Sequence, residues 1–333
     1  MAKRFQSAAL AETLEATRRL RALVVGDICL DRWCTYDPAA SEPSRETGIP
    51  RLGIVSTEVS PGGGGNVANN LVALGTGRVA VLGVRGDDGF GFELDYALTR
   101  RGIDASLMVG IRQWQTFTYT KLVNCRTGIE DQRRIDFIAT KPLPGEAEES
   151  VLANLASAMG GFDVVLVADQ TETSVGGVIN PRVREAIIAG AEKYPNKVFL
   201  VDSRRRIHLF RKVMLKPNRA EAETACRNLF GSVDFRRLRD WLGAKALFVT
   251  HGRQGALVVE EGRENWSKAW PVEKPVDTCG AGDSFAAGTA LAMAVTGAPV
   301  VAAGFGNLVA SITVMKKGTG TASPQEIMAT GSG

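Results

Sequence analysis

The sequence predicts an α/β protein: a three-layer α/β/α arrangement around a mostly parallel sheet, with a small β-sheet projecting from it as a lid. Three observations carry this. Short, continuously apolar runs alternate with longer segments of helical period, the pattern of strands buried on both faces by helices. Two stretches, residues 33–59 and 115–137, instead alternate polar and apolar residues, as a half-exposed antiparallel sheet does. No internal repeat and no linker rich in Pro, Gly or Ser divides the chain.

The elements follow in order. Residues 12–21 read as a short amphipathic helix within an N-terminal extension, residues 1–21. Ala22-Leu23-Val24-Val25-Gly26 is an apolar run of strand length. Helices are expected over 66–74, 90–101, 151–159 and 182–194, with strands over 79–84, 164–168 and 198–202 between them. Two further helices, 219–229 and 235–242, lead to a strand at 246–250. The most apolar stretch, 286–315, is broken by Gly297, Pro299, Gly304 and Gly306, so it reads as two buried helices rather than a membrane span. Residues 22–328 thus form the main domain, and 329–333 (ATGSG) a disordered tail.

Composition narrows the function. The 333 residues suffice for a substantial core, and 44% hydrophobic with 23% charged residues is ordinary for a soluble globular chain. A net charge of +4 is too small to indicate a nucleic-acid binder, although residues 203–212 (SRRRIHLFRK) are locally basic. Such a run is usually a solvated face. Cys29, Cys34, Cys125, Cys226 and Cys279 form no CxxC pair, and only two histidines are present, so neither a zinc site nor a disulfide framework is expected. A reducing cytoplasm fits, and the N-terminus lacks the apolar core of a signal peptide.

The chemistry concentrates in Asp277-Thr278-Cys279-Gly280-Ala281-Gly282-Asp283, which runs into an apolar helix. Three small residues, Gly280, Ala281 and Gly282, let successive backbone N–H groups face one point at a helix N-terminus, where anionic oxygens bind. Asp283 adds a carboxylate where a substrate hydroxyl would lose its proton. An Asp there is equally a helix N-cap.

Other motifs accompany it. Asp27 and Asp31 follow the first strand, at the sheet edge where open α/β folds bind ligands, and carboxylates there can hold a polyol. The loop Pro61-Gly62-Gly63-Gly64-Gly65-Asn66 opens a helix and admits close backbone approach by a ligand, but it has neither P-loop nor dinucleotide spacing. Lys216-Pro217-Asn218-Arg219-Ala220-Glu221 starts another helix, in a pattern that is also a capping box. Thr250-His251-Gly252-Arg253-Gln254-Gly255 ends a buried strand in a turn against which a nucleotide could lie, and a lone strand-end His such as His251 is more often structural than a general base.

In this order these motifs resemble the ribokinase-like (PfkB) carbohydrate kinases, over residues 22–327. The resemblance implies ATP-dependent phosphorylation of a sugar or sugar-phosphate hydroxyl. Asp283 would be the catalytic base, and the amides of Gly280, Ala281 and Gly282 the anion hole. Asp27, Asp31, Gly62, Gly63 and Asn66 would touch the sugar. Lys216, Thr250, Gly252, Gly255 and Asn307 would lie by the nucleotide, with Asn218 and Glu221 organising Mg²⁺ through water. Carbonyls near Asp277 and Cys279, with the Lys317-Gly318 region, would neighbour a monovalent cation such as K⁺. A homodimer sharing the lid is implied, and neither nucleic acid nor membrane is an expected partner.

Within the family the sequence is most similar to heptose-7-phosphate kinases. Gly26-Asp27-x-x-Leu30-Asp31-Arg32, Ser44-Arg45-Glu46-x-x-Ile49-Pro50, Thr118-Tyr119-Thr120-Lys121 and Gly318-Thr319-x-Thr321-x-Ser323-Pro324 carry that likeness. Glu42 departs from it, standing where a basic residue is expected. No cytidylyltransferase half follows residue 333, so a kinase alone is expected rather than a bifunctional enzyme. Arg204, Lys121 and Arg134 are candidates to hold a substrate phosphate. Other readings are a kinase for another sugar or a nucleoside, a non-catalytic sugar or nucleotide sensor, and nucleic-acid binding through the 203–212 run.

Overall fold

The structure, a computed structural model, describes residues 7–173 and 175–331. Helix α1 (Ser7–Thr17) leads to the core strand β1 (Arg21–Gly26), and β2 (Ile28–Asp37) then runs outward to pair with β3 (Gly53–Gly63). Next come α2 (Gly64–Ala73), β4 (Arg78–Leu82), β5 (Val84–Gly86), α3 (Gly89–Thr99), β6 (Val109–Ile111), β7 (Thr118–Asn124) and β8 (Ile135–Phe137). The chain continues through α4 (Gly145–Ala158), β9 (Val164–Asp169), α5 (Pro181–Lys193), β10 (Val198–Ser203), β11 (Met214–Leu215), α6 (Arg219–Phe230), α7 (Phe235–Leu242) and β12 (Leu247–Thr250). It ends in the hairpin β13 (Gly255–Glu260) and β14 (Arg263–Lys268), then α8 (Ala281–Thr296), α9 (Pro299–Thr313) and α10 (Pro324–Gly331).

Among the described residues the main sheet has the order β14-β13-β12-β11-β10-β9-β1-β4, parallel from β12 to β4 and antiparallel at the β13–β14 edge. Its inner strands are largely apolar because both faces are covered, whereas the edge strand β14 is polar and mostly exposed. In β9, Val164, Leu166 and Ala168 join one core layer with Leu10, Leu71, Phe285, Leu308 and Ile327. Val165 and Val167 join the other, with Leu155, Ile187, Ala225 and Leu238. Period 2 along a strand therefore separates two helical layers rather than core from solvent.

Helix boundaries follow local chemistry. Asp88, Asn180, Asn218 and Asp234 each cap a helix by accepting a first-turn amide, and Gly231 and Gly243 close α6 and α7 in the left-handed conformation.

Three expectations are corrected. The lid sheet, ordered β3-β2-β7-β8, is not wholly antiparallel, because β2 and β7 pair in parallel. Both strands leave the core in the same direction: β2 follows β1 almost directly, and Thr116, just before β7, is fastened to Gly86 and Asp88. The glycine run is not a loop, since Pro61, Gly62 and Gly63 end β3 and Gly64 begins α2 with no residue between them.

The third concerns the termini. Of the expected tail, residues 329–331 continue α10, where a side chain at Gly331 would stand 2.6 Å from Leu10 Cδ2, so α10 and α1 pack together. Residues 332–333 lie outside the described residues. The N-terminal helix begins at Ser7 and ends at Thr17, and fully buried Leu10 makes it part of the core rather than an appendage; residues 1–6 lie outside the described residues. No helix among the described residues is long and apolar enough to cross a membrane.

Candidate active site

The first turn of α8 is the centre of the site. Gly280 precedes it with φ of 77°, and a side chain there would meet Asn66 Nδ2 at 2.6 Å, so the turn can approach α2 this closely only with glycine. The Ala281 N–H donates to Thr278 O at 3.3 Å. Those of Gly282 and Asp283 meet no acceptor among the described residues, leaving open donors at the helix N-terminus. Ala281 is thus the weakest of the expected anion-hole amides, because its N–H is already engaged.

Asp283 lies in this turn with its Oδ2 accepting a hydrogen bond of 2.6 Å from Asn66 Nδ2. Burial pushes its carboxyl up to about 6, reinforced by Asp202 and opposed by the Asn66 bond and Lys216. Lys216 is buried, and its Nζ lies 2.9 Å from Asp202 Oδ2. A side chain at Gly282 would stand 3.5 Å from that ammonium, so Lys216 underlies the open turn with fixed positive charge. Burial alone would lower the Lys216 pKa, but Asp202, with Glu221 and Asp283, more than offsets it and raises the pKa, keeping the group protonated. Asp202 was not singled out from sequence, although its position at the end of an apolar strand is a signal of the kind that marked Asp27.

On the lid side, Asp31 stands opposite Ser60 in the β2–β3 pairing. A side chain at Gly62 would lie 2.4 Å from its Oδ1, so the glycine makes room for the carboxylate. Burial pushes Asp31 up to about 6, while Lys121 and Arg134 pull it down. Asp31 accepts no hydrogen bond from any described residue. Asp27 differs. Its Oδ2 accepts from the amides of Gln170 and Thr171 and from the Thr171 hydroxyl at 2.8–3.0 Å, and its Oδ1 accepts from the Val178 amide at 2.9 Å. Four donors occupy the carboxylate, so Asp27 fastens the loop after β9 and is corrected from a sugar ligand to a structural residue.

On the other side of the α8 turn lies a cleft of about 480 Å³, lined by Thr250, Gly252, Gly255, Trp270, Phe285 and Asn307 together with Ala281 and Gly282. Asn307 holds its wall: its Nδ2 donates to Ser267 O and Oγ at 3.0 Å each. Asn218 and Glu221 form a reciprocal capping box, with bonds of 2.9 and 2.8 Å. Glu221 spends Oε2 on this bond, leaving Oε1 for other work. Asp277 spans its loop, Oδ1 accepting from Cys279 N at 2.9 Å and Oδ2 from Gly318 N at 3.1 Å, which brings the two expected cation-site segments together.

The basic run is largely neutralised. Arg204 pairs with Glu172 at 2.9 Å, Lys212 with Glu192, and Arg206 with buried Asp169. Arg206 is therefore partly buried and tied to the interior through Asp169 rather than wholly on a solvated face.

A helix start with two open amides and an adjacent carboxylate thus borders a cleft of about 480 Å³, and residues 22–326 match the pfkB family carbohydrate kinases. The chain belongs to this family. As a pfkB carbohydrate kinase it is a phosphotransferase with an alcohol group as acceptor. It is 32% identical over 319 residues to the bifunctional protein HldE of Geotalea uraniireducens, covering 94% of this chain and 63% of that protein. The HldE of Geobacter metallireducens is also 32% identical, over 327 residues, covering 93% and 63%. The chain thus spans less than two thirds of these relatives.

Among solved structures, Thermotoga maritima ribokinase superposes with a TM-score of 0.68 at 21% identity, covering 93% of this chain and 98% of that one. Arabidopsis thaliana ribokinase complexed with ribose and ATP gives 0.67 at 19%, covering 95% and 99%. Escherichia coli phosphofructokinase-2 in complex with potassium gives 0.68 at 16%, covering 94% and 98%. The fold is therefore ribokinase-like.

Proposed function

We propose that this pfkB kinase transfers the γ-phosphoryl group of ATP to a hydroxyl of a sugar phosphate of the heptose 7-phosphate kind. The observation that carries the reading is Asp283, a partly buried carboxylate raised to about 6, beside open helix-start amides and a buried lysine. With the nucleotide in the cleft, its terminal phosphate would meet the Gly282 and Asp283 amides over Lys216. Asp31 would hold the sugar hydroxyls, and Asp283 would accept the proton of the attacking hydroxyl. Such a base contributes about 10²- to 10⁴-fold. The amides and Lys216 offset charge that develops on the transferring group. Closure of the lid would exclude competing water.

Mg²⁺, when bound, would neutralise phosphate charge. Oε1 of Glu221 and the neighbouring Asn218 fit a water-mediated contact with it, since Mg²⁺ commonly keeps its waters. Among the described residues no cluster of three His, Cys, Asp or Glu could hold a metal directly. K⁺ beside the Asp277 and Gly318 loops belongs to the same reading. So do a cytoplasmic location and a homodimer through β3, the lid edge on which Ile54 and Val55 are 45% and 59% exposed. Support for heptose 7-phosphate comes from the motifs shared with heptose kinases and from the likeness to HldE proteins, which covers 94% and 93% of this chain and 63% of each relative.

The test is an ATP-consumption panel of sugars, sugar phosphates and nucleosides. Heptose 7-phosphate should give the highest kcat/KM; preference for ribose, fructose or a nucleoside would overturn the substrate, and no turnover of any acceptor would overturn the kinase.

A further inference from the structure

The hydroxyl of Tyr119 is buried and has no hydrogen-bond partner among the described residues. Leaving a buried hydroxyl unsatisfied is costly, so such a group in a native fold calls for a reason. Strand register supplies one. Tyr119 lies directly opposite Asp31 in the parallel β2–β7 pairing, Lys121 lies opposite Trp33 one step on, and Asp136 of β8 lies opposite Tyr119 on its other side. One face of the lid therefore carries Asp31, Trp33, Tyr119, Lys121 and Asp136. The opposite face meets α3, where Arg32 Nε bonds Glu93 at 2.9 Å.

The Tyr119 ring is held in place. Its centroid lies 4.9 Å from that of Phe117, and the Arg134 guanidinium lies 4.6 Å from it, itself fixed by two bonds to Asp136 Oδ2 at 3.0 and 2.7 Å. The charged and polar groups that act on the phenol are Cys29, Arg204, Glu172 and Arg134. Burial pushes its pKa up, so the group is an O–H donor at neutral pH. Arg204 and Arg134 are the cations of this neighbourhood, and the half-exposed Arg204–Glu172 pair is of a type that contributes little and can open for a stronger anion.

We propose that Tyr119 determines substrate specificity: its hydroxyl donates to a phosphate oxygen at the end of the sugar remote from the hydroxyl that Asp283 deprotonates. This rests on the sugar-phosphate kinase reading and names the residue that selects the phosphorylated end. No described residue supplies this hydroxyl with a partner in the free protein.

Tyr119→Phe in the full chain tests this with two readouts. Melted without ligand, the variant should be as stable as wild type or more so, because only an unsatisfied group is lost. In steady state its KM for heptose 7-phosphate should rise roughly ten- to a hundredfold, the loss of a hydrogen bond to a charged acceptor, with kcat and the KM for ATP within about twofold. For the same sugar without phosphate, KM should change little. A lowered melting temperature or an unchanged KM for the sugar phosphate would make the hydroxyl structural, and an equal rise for both sugars would overturn the phosphate contact. Failure of the kinase reading would appear in the wild type itself, whereas failure of this assignment appears only in the ratio of variant to wild type.

Discussion

Asn66 Nδ2 donates to Asp283 Oδ2 at 2.6 Å, joining the start of α2 to the first turn of α8 across 217 residues of chain. The bond aims the carboxylate and stabilises its charged form, opposing the burial that raises its pKa. Asn66→Ala should therefore shift the acid limb of kcat/KM to higher pH as well as lower the maximum. A pH–rate profile with an unmoved acid limb would show that the bond does not tune the base.

Asp283→Asn keeps the shape and removes the proposed base. It should lower kcat by about 10²- to 10⁴-fold while ATP and sugar still bind in equilibrium titration. Turnover at the wild-type rate would remove Asp283 from the mechanism.

Activity and stability should respond to pH in opposite senses. Asp283 and Asp31 are both raised to about 6, so kcat/KM should climb as pH rises through that value and the carboxylates ionise. Their folded pKa values lie above the unfolded value of about 3.9, so the stability they contribute is full below that pH and declines as pH rises toward about 6. Urea unfolding of wild type and Asp283→Asn at successive pH values measures this, and a difference between the two proteins that does not vary over that window would refute it.

Lys216→Met leaves Asp202 buried without its cation. Breaking one side of a buried pair costs about 3–5 kcal/mol, so the unfolding midpoint in urea should drop markedly, and adding Asp202→Asn should restore part of it. No drop would mean that the pair is solvated in solution.

Gly62→Ala would put a methyl 2.4 Å from Asp31 Oδ1. The carboxylate must move, so KM for the sugar should rise while KM for ATP holds. Equal changes in both would place the effect in the fold rather than the pocket.

Much of this was legible from sequence because it is local. The small residues 280–282, the Asn218–Glu221 spacing and the apolar strands each act within a few positions, so composition and period reveal them. Asp27 and Asp31 mark the limit: four residues apart, both polar and after the same strand, they were indistinguishable until the loop after β9 brought four donors to Asp27 and none of the described residues brought any to Asp31.

The sequence by itself determined the doubly covered sheet, the small projecting sheet and the position of the small-residue turn that opens α8, since strand burial and backbone freedom are written in residue type. Tertiary structure alone decided that β2 and β7 run parallel, that Asn66 meets Asp283, that Lys216 meets Asp202 beneath the turn, and that the Tyr119 hydroxyl has no partner among the described residues. Each of these joins segments distant in the chain, and no local periodicity encodes which distant group will arrive.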